Sequence, residues 1–215
     1  MRNEITGTWW RVVASAAGMA ILLAAACGGS YSPPNQTTGQ SSPQAQTAGS
    51  VTEKPFAAGG KIDMQLAAGG YIVRAASDNV VRVTLGGNAT AAVDVSTQGA
   101  QANVVVRDTS RHNFKATVEV PQAADLVIRL SAGELKVESI AGSKDIESNA
   151  GNVDIVTGDS SGYASVDASV QAGDIKAEPF GDSRSGLFSK LSWSGKGKYT
   201  LRARLIAGNL TLRAR

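Results

Sequence analysis

Gly158-Asp159-Ser160-Ser161-Gly162 has the Gly-x-Ser-x-Gly spacing of a nucleophilic serine. That spacing works only on a strained strand-to-helix turn, with a histidine to take the hydroxyl proton and a carboxylate to orient it. The chain has one histidine, His112, next to Arg111 and far from the motif in sequence. No helical pattern follows Gly162, so the segment reads as a polar turn. One histidine and one cysteine leave no basis for a His-rich metal site, a Cys-based zinc site or an iron–sulfur centre, and no cofactor is expected. Glu134, Asn152, Asp174 and Asn209 each follow a glycine and could stack as oxygen ligands, but the Gly-Gly-x-Gly-x-Asp tandem of calcium-binding rolls is missing. Such residues more commonly bond their own turn. The same carboxylates could flank a glycosidic bond, yet nothing in the sequence raises the pKa of either. The expectation is a protein that is not an enzyme. Its rival is a β-solenoid enzyme acting on envelope polysaccharide.

The thiol of Cys27 has a better-defined use. Val12 to Ala26 carries no charge and follows a weakly positive start with Arg2 and Arg11 against Glu4. Crossing a bilayer takes about 20 apolar residues, and this run is shorter, so it reads as the apolar region of a secretory signal over residues 1–26. Ile21-Leu22-Leu23-Ala24-Ala25-Ala26-Cys27 resembles a bacterial lipobox, with Ala24 where Leu is usual. The resemblance implies a diacylglycerol thioether on Cys27 and a membrane as partner through that anchor. A plain signal peptide that leaves Cys27 a bystander is the alternative. Residues 27–50 are Ser, Thr, Gln, Pro, Gly and Ala with one aromatic, Tyr31. They cannot offset the entropy of ordering and are expected to form a tether spanning about 25 Å.

Two groups near the C-terminus could bind something. Acids outnumber bases from Asp125 to Asp182, but every charge after Asp182 is basic. Period-two alternation sends Lys198, Arg202 and Arg204 to one face, and Arg213 and Arg215 repeat the arrangement. Such a cluster is a candidate site for an anionic glycan, lipid headgroup or other polyanion. Its structural alternative is protection of a terminal edge strand, the commoner use of Lys and Arg there. Phe180, Phe188 and Trp193 gather scarce aromatic mass in the segment from Pro179 to Gly197. They form either a glycan- or partner-docking loop or a cap over an open core, the cap being the commoner case. The net charge of +3 is too small to suggest nucleic acid.

The elements behind these residues are strands. Ile62, Met64 and Leu66 alternate with polar residues, as do Val81, Val83 and Leu85, then Val104 and Val106, then Phe114, Ala116, Val118 and Val120. With 42% hydrophobic residues and 24 glycines, the chain can bury a core and is neither collagen-like nor disordered throughout. A motif of Ala-Gly-polar-apolar-polar-apolar starts at Ala132 and recurs at Ala150, Ala172 and Ala207. One rung per repeat predicts an all-β, solenoid-like domain over residues 51–215. Leu135, Val153, Ile175 and Leu210 would form one core column, and Val137, Ile155, Ala177 and Leu212 its companion. An ordinary sandwich whose turns share Ala-Gly is the alternative.

This order of features resembles the putative-adhesin family of domains of unknown function on bacterial envelopes. An apolar strand follows Gly59-Gly60, then come Gly70-Tyr71-Ile72-Val73, Asn79-Val80-Val81-Arg82-Val83 and Val118-Glu119-Val120-Pro121, then the glycine-punctuated rungs. The likeness covers residues 56–215. It implies a solenoid-like β fold and an adhesin-like role in the cell envelope, and brings neither a reaction nor a ligand. A regulatory envelope lipoprotein that docks a protein partner remains a further alternative.

Overall fold

The computed structural model describes residues 45–46, 49–86, 89–110 and 113–214. Cys27, the signal segment, His112 and Arg215 lie outside them. The strands of the first half are β1 (Ala45–Gln46), β2 (Val51–Pro55), β3 (Lys61–Leu66), β4 (Gly69–Ala75), β5 (Val80–Gly86), β6 (Ala91–Gln98), β7 (Gln101–Arg107) and β8 (Lys115–Val120). Five longer ones follow: β9 (Asp125–Val137), β10 (Lys144–Val156), β11 (Tyr163–Ala177), β12 (Asp182–Ser194) and β13 (Tyr199–Arg213). Two 3-10 turns, Ser160–Gly162 and Glu178–Phe180, flank β11, and no α-helix occurs among the described residues. The protein is all-β, and its sheet is open.

Each long strand bends once, at an Ala-Gly pair in β9, β10, β11 and β13 and at Ser185-Gly186 in β12, and so belongs to two layers. Periodicity shows the bend: in β9, Leu126, Ile128 and Leu130 are buried before it, and Leu135 and Val137 after it. The change of parity across Ala132-Gly133 turns the second half's apolar face back toward the same core. At β9 the layers separate. Its first half pairs with β3 and leads through β7 and β6 to β1, and its second half pairs with β4 and leads through β8 and β5 to β2.

Glycine is required along this crease because the strands meet backbone to backbone. Gly151 has φ +118°, and a Cβ there would fall on the carbonyl of Gly133. The same holds for Gly208 against Gly151 and for Gly173 against Gly208. No side chain fits between strands spaced at about 4.8 Å when it points along the stacking direction.

The rungs do not stack in chain order. The sequence places the copy at Ala207 last, but β13 lies between β10 and β11, parallel to both. The core column therefore runs Tyr71, Leu135, Val153, Leu210, Ile175, with Val73, Val137, Ile155, Leu212, Ala177 beside it. All ten are at most 2% exposed. Burying side chains of this size contributes about 1.5–3 kcal/mol each, which holds the layers together. The order is rearranged because Pro179 to Gly197 is a strand and not a long loop. β11 turns over Glu178–Phe180 into β12, which runs back antiparallel along it, and β13 then enters beside β10.

Candidate functional site

The two ends of the stack differ. At one end, β1 pairs with β6 and β2 with β5, so the last part of the segment expected to be a tether is zipped onto the fold. Gln46 Oε1 accepts from Ser50 Oγ at 3.3 Å and Thr52 Oγ1 at 3.0 Å. At the other end, β12 pairs only with β11 among the described strands. The crease reaches β12 at Gly186, and the residues after it, Leu187 and Phe188, are 76% and 72% exposed. Phe188 also has φ +55°, a conformation that costs a bulky residue about 1–3 kcal/mol. On the inner strands Ala172 and Ala207 stand in register with Leu187, so the apolar ridge belongs to the edge.

The three aromatic candidates do not act together. Phe180 is 7% exposed and packs in a tilted contact with the half-buried Trp193 at 5.1 Å and edge-to-face with Tyr163 at 5.9 Å. These rings cap the end of the core. Phe188 alone faces solvent.

The basic candidates are not a single acid-free patch, and they are not on an edge. β13 is an interior strand, and its two halves belong to different layers, which separates Arg202 and Arg204 from Arg213. Arg202 stands in register between Asp145 and Asp167. Arg204 Nη1 donates to Glu147 Oε1 at 2.6 Å, and the other oxygen of Glu147 is 3.7 Å from Arg129 Nε. Arg129 Nη1 in turn lies 3.3 Å from Asp63 Oδ2, so the charges alternate across four strands. Arg213 Nε donates to Asp154 at 2.8 Å, and Lys198 holds its ammonium 5.7 Å from the Tyr199 ring centre. The acids that the linear sequence segregates from these bases are folded between them. Each exposed pair contributes at most about 1 kcal/mol. The second layer has a tighter row. Glu119 accepts from Arg74 and from Arg82 at 2.8 and 2.9 Å, and Arg82 also donates to Glu53 at 2.6 Å. The two guanidiniums hold the Glu119 carboxyl below the usual carboxylate range.

Gly158-Asp159-Ser160-Ser161-Gly162 is a turn. Asp159 caps the 3-10 segment by accepting from the Ser161 N–H at 3.1 Å, and β11 follows. The residues after the crease glycines do form a ladder: Asn209 Nδ2 donates to Asn152 Oδ1 at 3.0 Å, and Asn209 Oδ1 accepts from the Asp174 N–H at 3.3 Å. Its groups bond one another, and no cluster with metal-ligand geometry occurs among the described residues.

Lys144 is the residue that the sequence reading passed over. It fills the column position between Leu126 and Leu201 and is 2% exposed. Its ammonium donates to the carbonyls of Ile140 and Gly142 at 2.7 and 3.0 Å and to the Tyr163 hydroxyl at 3.3 Å. Burial lowers its pKa to about 8, partly offset by Asp125. Burial, with Tyr199 nearby, raises Tyr163 to about 12. Aligning Lys144-Asp145-Ile146 under Leu126-Val127-Ile128 would have exposed it, because the lysine stands where the repeat needs an apolar residue.

No family model and no curated protein matches the chain. Two solved structures are similar to it. A putative cell adhesion protein from Clostridium sporogenes aligns over 79% of this chain and 100% of its own, with 11% identity and a TM-score of 0.51, which shows a shared fold. A putative adhesin from Parabacteroides distasonis covers 76% of this chain and 70% of its own at 9% identity, but its TM-score of 0.22 adds nothing to that assignment.

Proposed function

We propose that this is an exported cell-envelope protein, lipid-anchored at Cys27, whose solenoid-like domain is an adhesin-like, non-catalytic binding surface. The reading is carried by the direction of the fold. The chain enters at the β1 and β2 edge, and the ridge of Leu187 and Phe188 lies at the opposite edge. With nine strands from one edge to the other, edges included, and so eight strand spacings, that ridge is displayed about 38 Å from the tether junction. The lone cysteine closing an apolar run supports the anchor. The cell adhesion protein that shares the fold supports the role. Metabolic labelling with a fatty-acid probe tests the anchor, and protease accessibility on intact cells tests display. The wild type should be labelled and cleaved from outside, and Cys27→Ser should lose the label. An unlabelled wild-type protein, or one shielded from protease, contradicts this reading.

A further inference from the structure

Opposite the crease, the turns that carry the chain from the second layer back to the first surround a depression of about 690 Å³. It lies within the volume range of small-molecule sites, about 300–1,000 Å³. Ile140, Tyr163, Pro179 and Tyr199 supply apolar and aromatic lining; Tyr163 is buried, whereas Pro179 and Tyr199 are half-buried and reachable from solvent. Gln122, Ser139, Asp159 and Ser160 supply polar groups. The side chains of Gln122, Ser139 and Ser160 make no hydrogen bond among the described residues, so both donors and acceptors are available.

Charge decides the class of ligand. The depression is lined by no lysine or arginine. Two ammonium groups lie nearby: that of Lys144 is buried and has its donors engaged by Ile140, Gly142 and Tyr163, and that of the exposed Lys198 stands 5.7 Å from the Tyr199 ring centre, outside the lining. Asp159 brings a carboxylate whose pKa the Ser161 N–H and hydroxyl lower, so it is ionised at neutral pH and repels anions. A lining with aromatic and proline faces beside amide, hydroxyl and carboxylate groups suits a molecule with one C–H face and a periphery of hydroxyls, each both donor and acceptor.

We propose that this depression is a carbohydrate site for a neutral pyranose, stacked on Tyr199 and Pro179 and hydrogen-bonded by Gln122, Ser139, Asp159 and Ser160. The proposal deepens the reading of the domain as a binding surface and rests on it. It places the ligand at the turn side of the stack, away from the Leu187 and Phe188 ridge.

The test is affinity electrophoresis of the full-length protein in a detergent without a sugar headgroup. The gels contain dextran, mannan, galactan or the acidic polygalacturonate. At least one neutral polymer should retard the wild type. Gln122→Ala with Ser160→Ala should weaken that retardation at least tenfold without a change in melting temperature. Tyr199→Ala should abolish it, and Tyr199→Phe should restore it. Lys54→Ala, an exposed position on β2 outside the lining, should leave it unchanged. No retardation by any neutral polymer, retardation indifferent to Gln122 and Ser160, or binding to polygalacturonate alone that disappears in Lys198→Ala each overturns the proposal. A protein that is lipid-labelled and displayed on cells yet fails here loses the sugar site and keeps its proposed role.

Discussion

Lys144 donates to the Tyr163 hydroxyl at 3.3 Å from a column position that Leu126 and Leu201 fill on the neighbouring strands. The lysine stem completes the apolar column, and its ammonium ties together carbonyls of the turn between β9 and β10. Desolvation opposes the charge, which lowers the pKa from 10.5 to about 8. Below pH 8 both folded and unfolded states are protonated and the burial penalty is fully present. Between pH 8 and 10.5 the unfolded chain binds more protons, so stability rises with pH. The stability of the wild type relative to Lys144→Met should therefore increase by about 2 kcal/mol from pH 8 to pH 10. Urea melts at half-unit steps check this, stopping at pH 10 because ionisation of Tyr163 acts in the opposite direction above it. A flat difference would mean that Lys144 is neutral throughout or not buried.

The crease makes a second, steric prediction. Gly151→Ala combines a positive φ with a Cβ placed on the Gly133 carbonyl. Gly186→Ala has a comparable φ of +109° on the edge strand but meets nothing within 4 Å. Backbone strain alone costs about 1–2 kcal/mol, so Gly186→Ala should lose about that much. Gly151→Ala should lose at least about 3 kcal/mol or fail to fold. Equal losses in chemical denaturation would show that strands β9 and β10 can separate at the crease.

Core and surface should respond differently on one strand. Ile175 is 1% exposed, and Lys176 next to it is exposed. Ile175→Ala should cost about 2–4 kcal/mol and Lys176→Ser about 0.5 kcal/mol or less. Midpoints of urea unfolding at constant slope distinguish the two.

These contrasts mark what could be read from the chain. Alternation at Ile62-Met64-Leu66 and Phe114-Ala116-Val118-Val120 identified buried faces, because side-chain direction along a strand depends only on neighbours in sequence. The Ala-Gly motif likewise marked a repeated position, read as one per rung, and the structure makes that position a crease inside continuous strands, whose steric demand falls on the glycine itself. Rung order was not legible. Which strand lies beside β10 depends on where β12 goes, and Ser-rich Asp182–Ser194 has the composition of either a loop or an exposed edge strand. The acidic neighbours of the basic residues were hidden for the same reason. Arg204 is far from Glu147 in sequence and 2.6 Å from it once β13 enters beside β10. The turn-side depression draws on residues from Gln122 to Ala214, and no local pattern announces it.

Acid should act through Glu119. Arg82 and Arg74 lower its folded pKa, so the stability it contributes is present above the unfolded value near 4.5 and is lost as pH falls through the folded one. Glu119→Gln should remove that part of the acid dependence, and the difference between wild type and variant should shrink below pH 4.5. Melts between pH 2.5 and pH 6 report it.

The interleaving of charge on β13 yields the last prediction. If Lys198, Arg202, Arg204 and Arg213 formed an exposed patch of one sign, the protein would bind anionic vesicles at low salt. Reversing Arg202 and Arg213 would then abolish binding and leave the fold untouched. The acids beside these bases on neighbouring strands lead to the opposite expectations. Arg202→Glu would put three acids in a row with Asp145 and Asp167, and Arg213→Glu would set two carboxylates together at Asp154. Like charges directly opposite on neighbouring strands cost about 0.2–1 kcal/mol each, so the double variant should melt several degrees lower. The loss should shrink in 1 M salt, where the Debye length is about 3 Å. Wild-type protein should show no salt-sensitive cosedimentation with phosphatidylglycerol vesicles beyond that given by its lipid anchor, which Cys27→Ser removes. Strong binding by Cys27→Ser that disappears on reversal, with the melting temperature unchanged, would restore a polyanion site on β13.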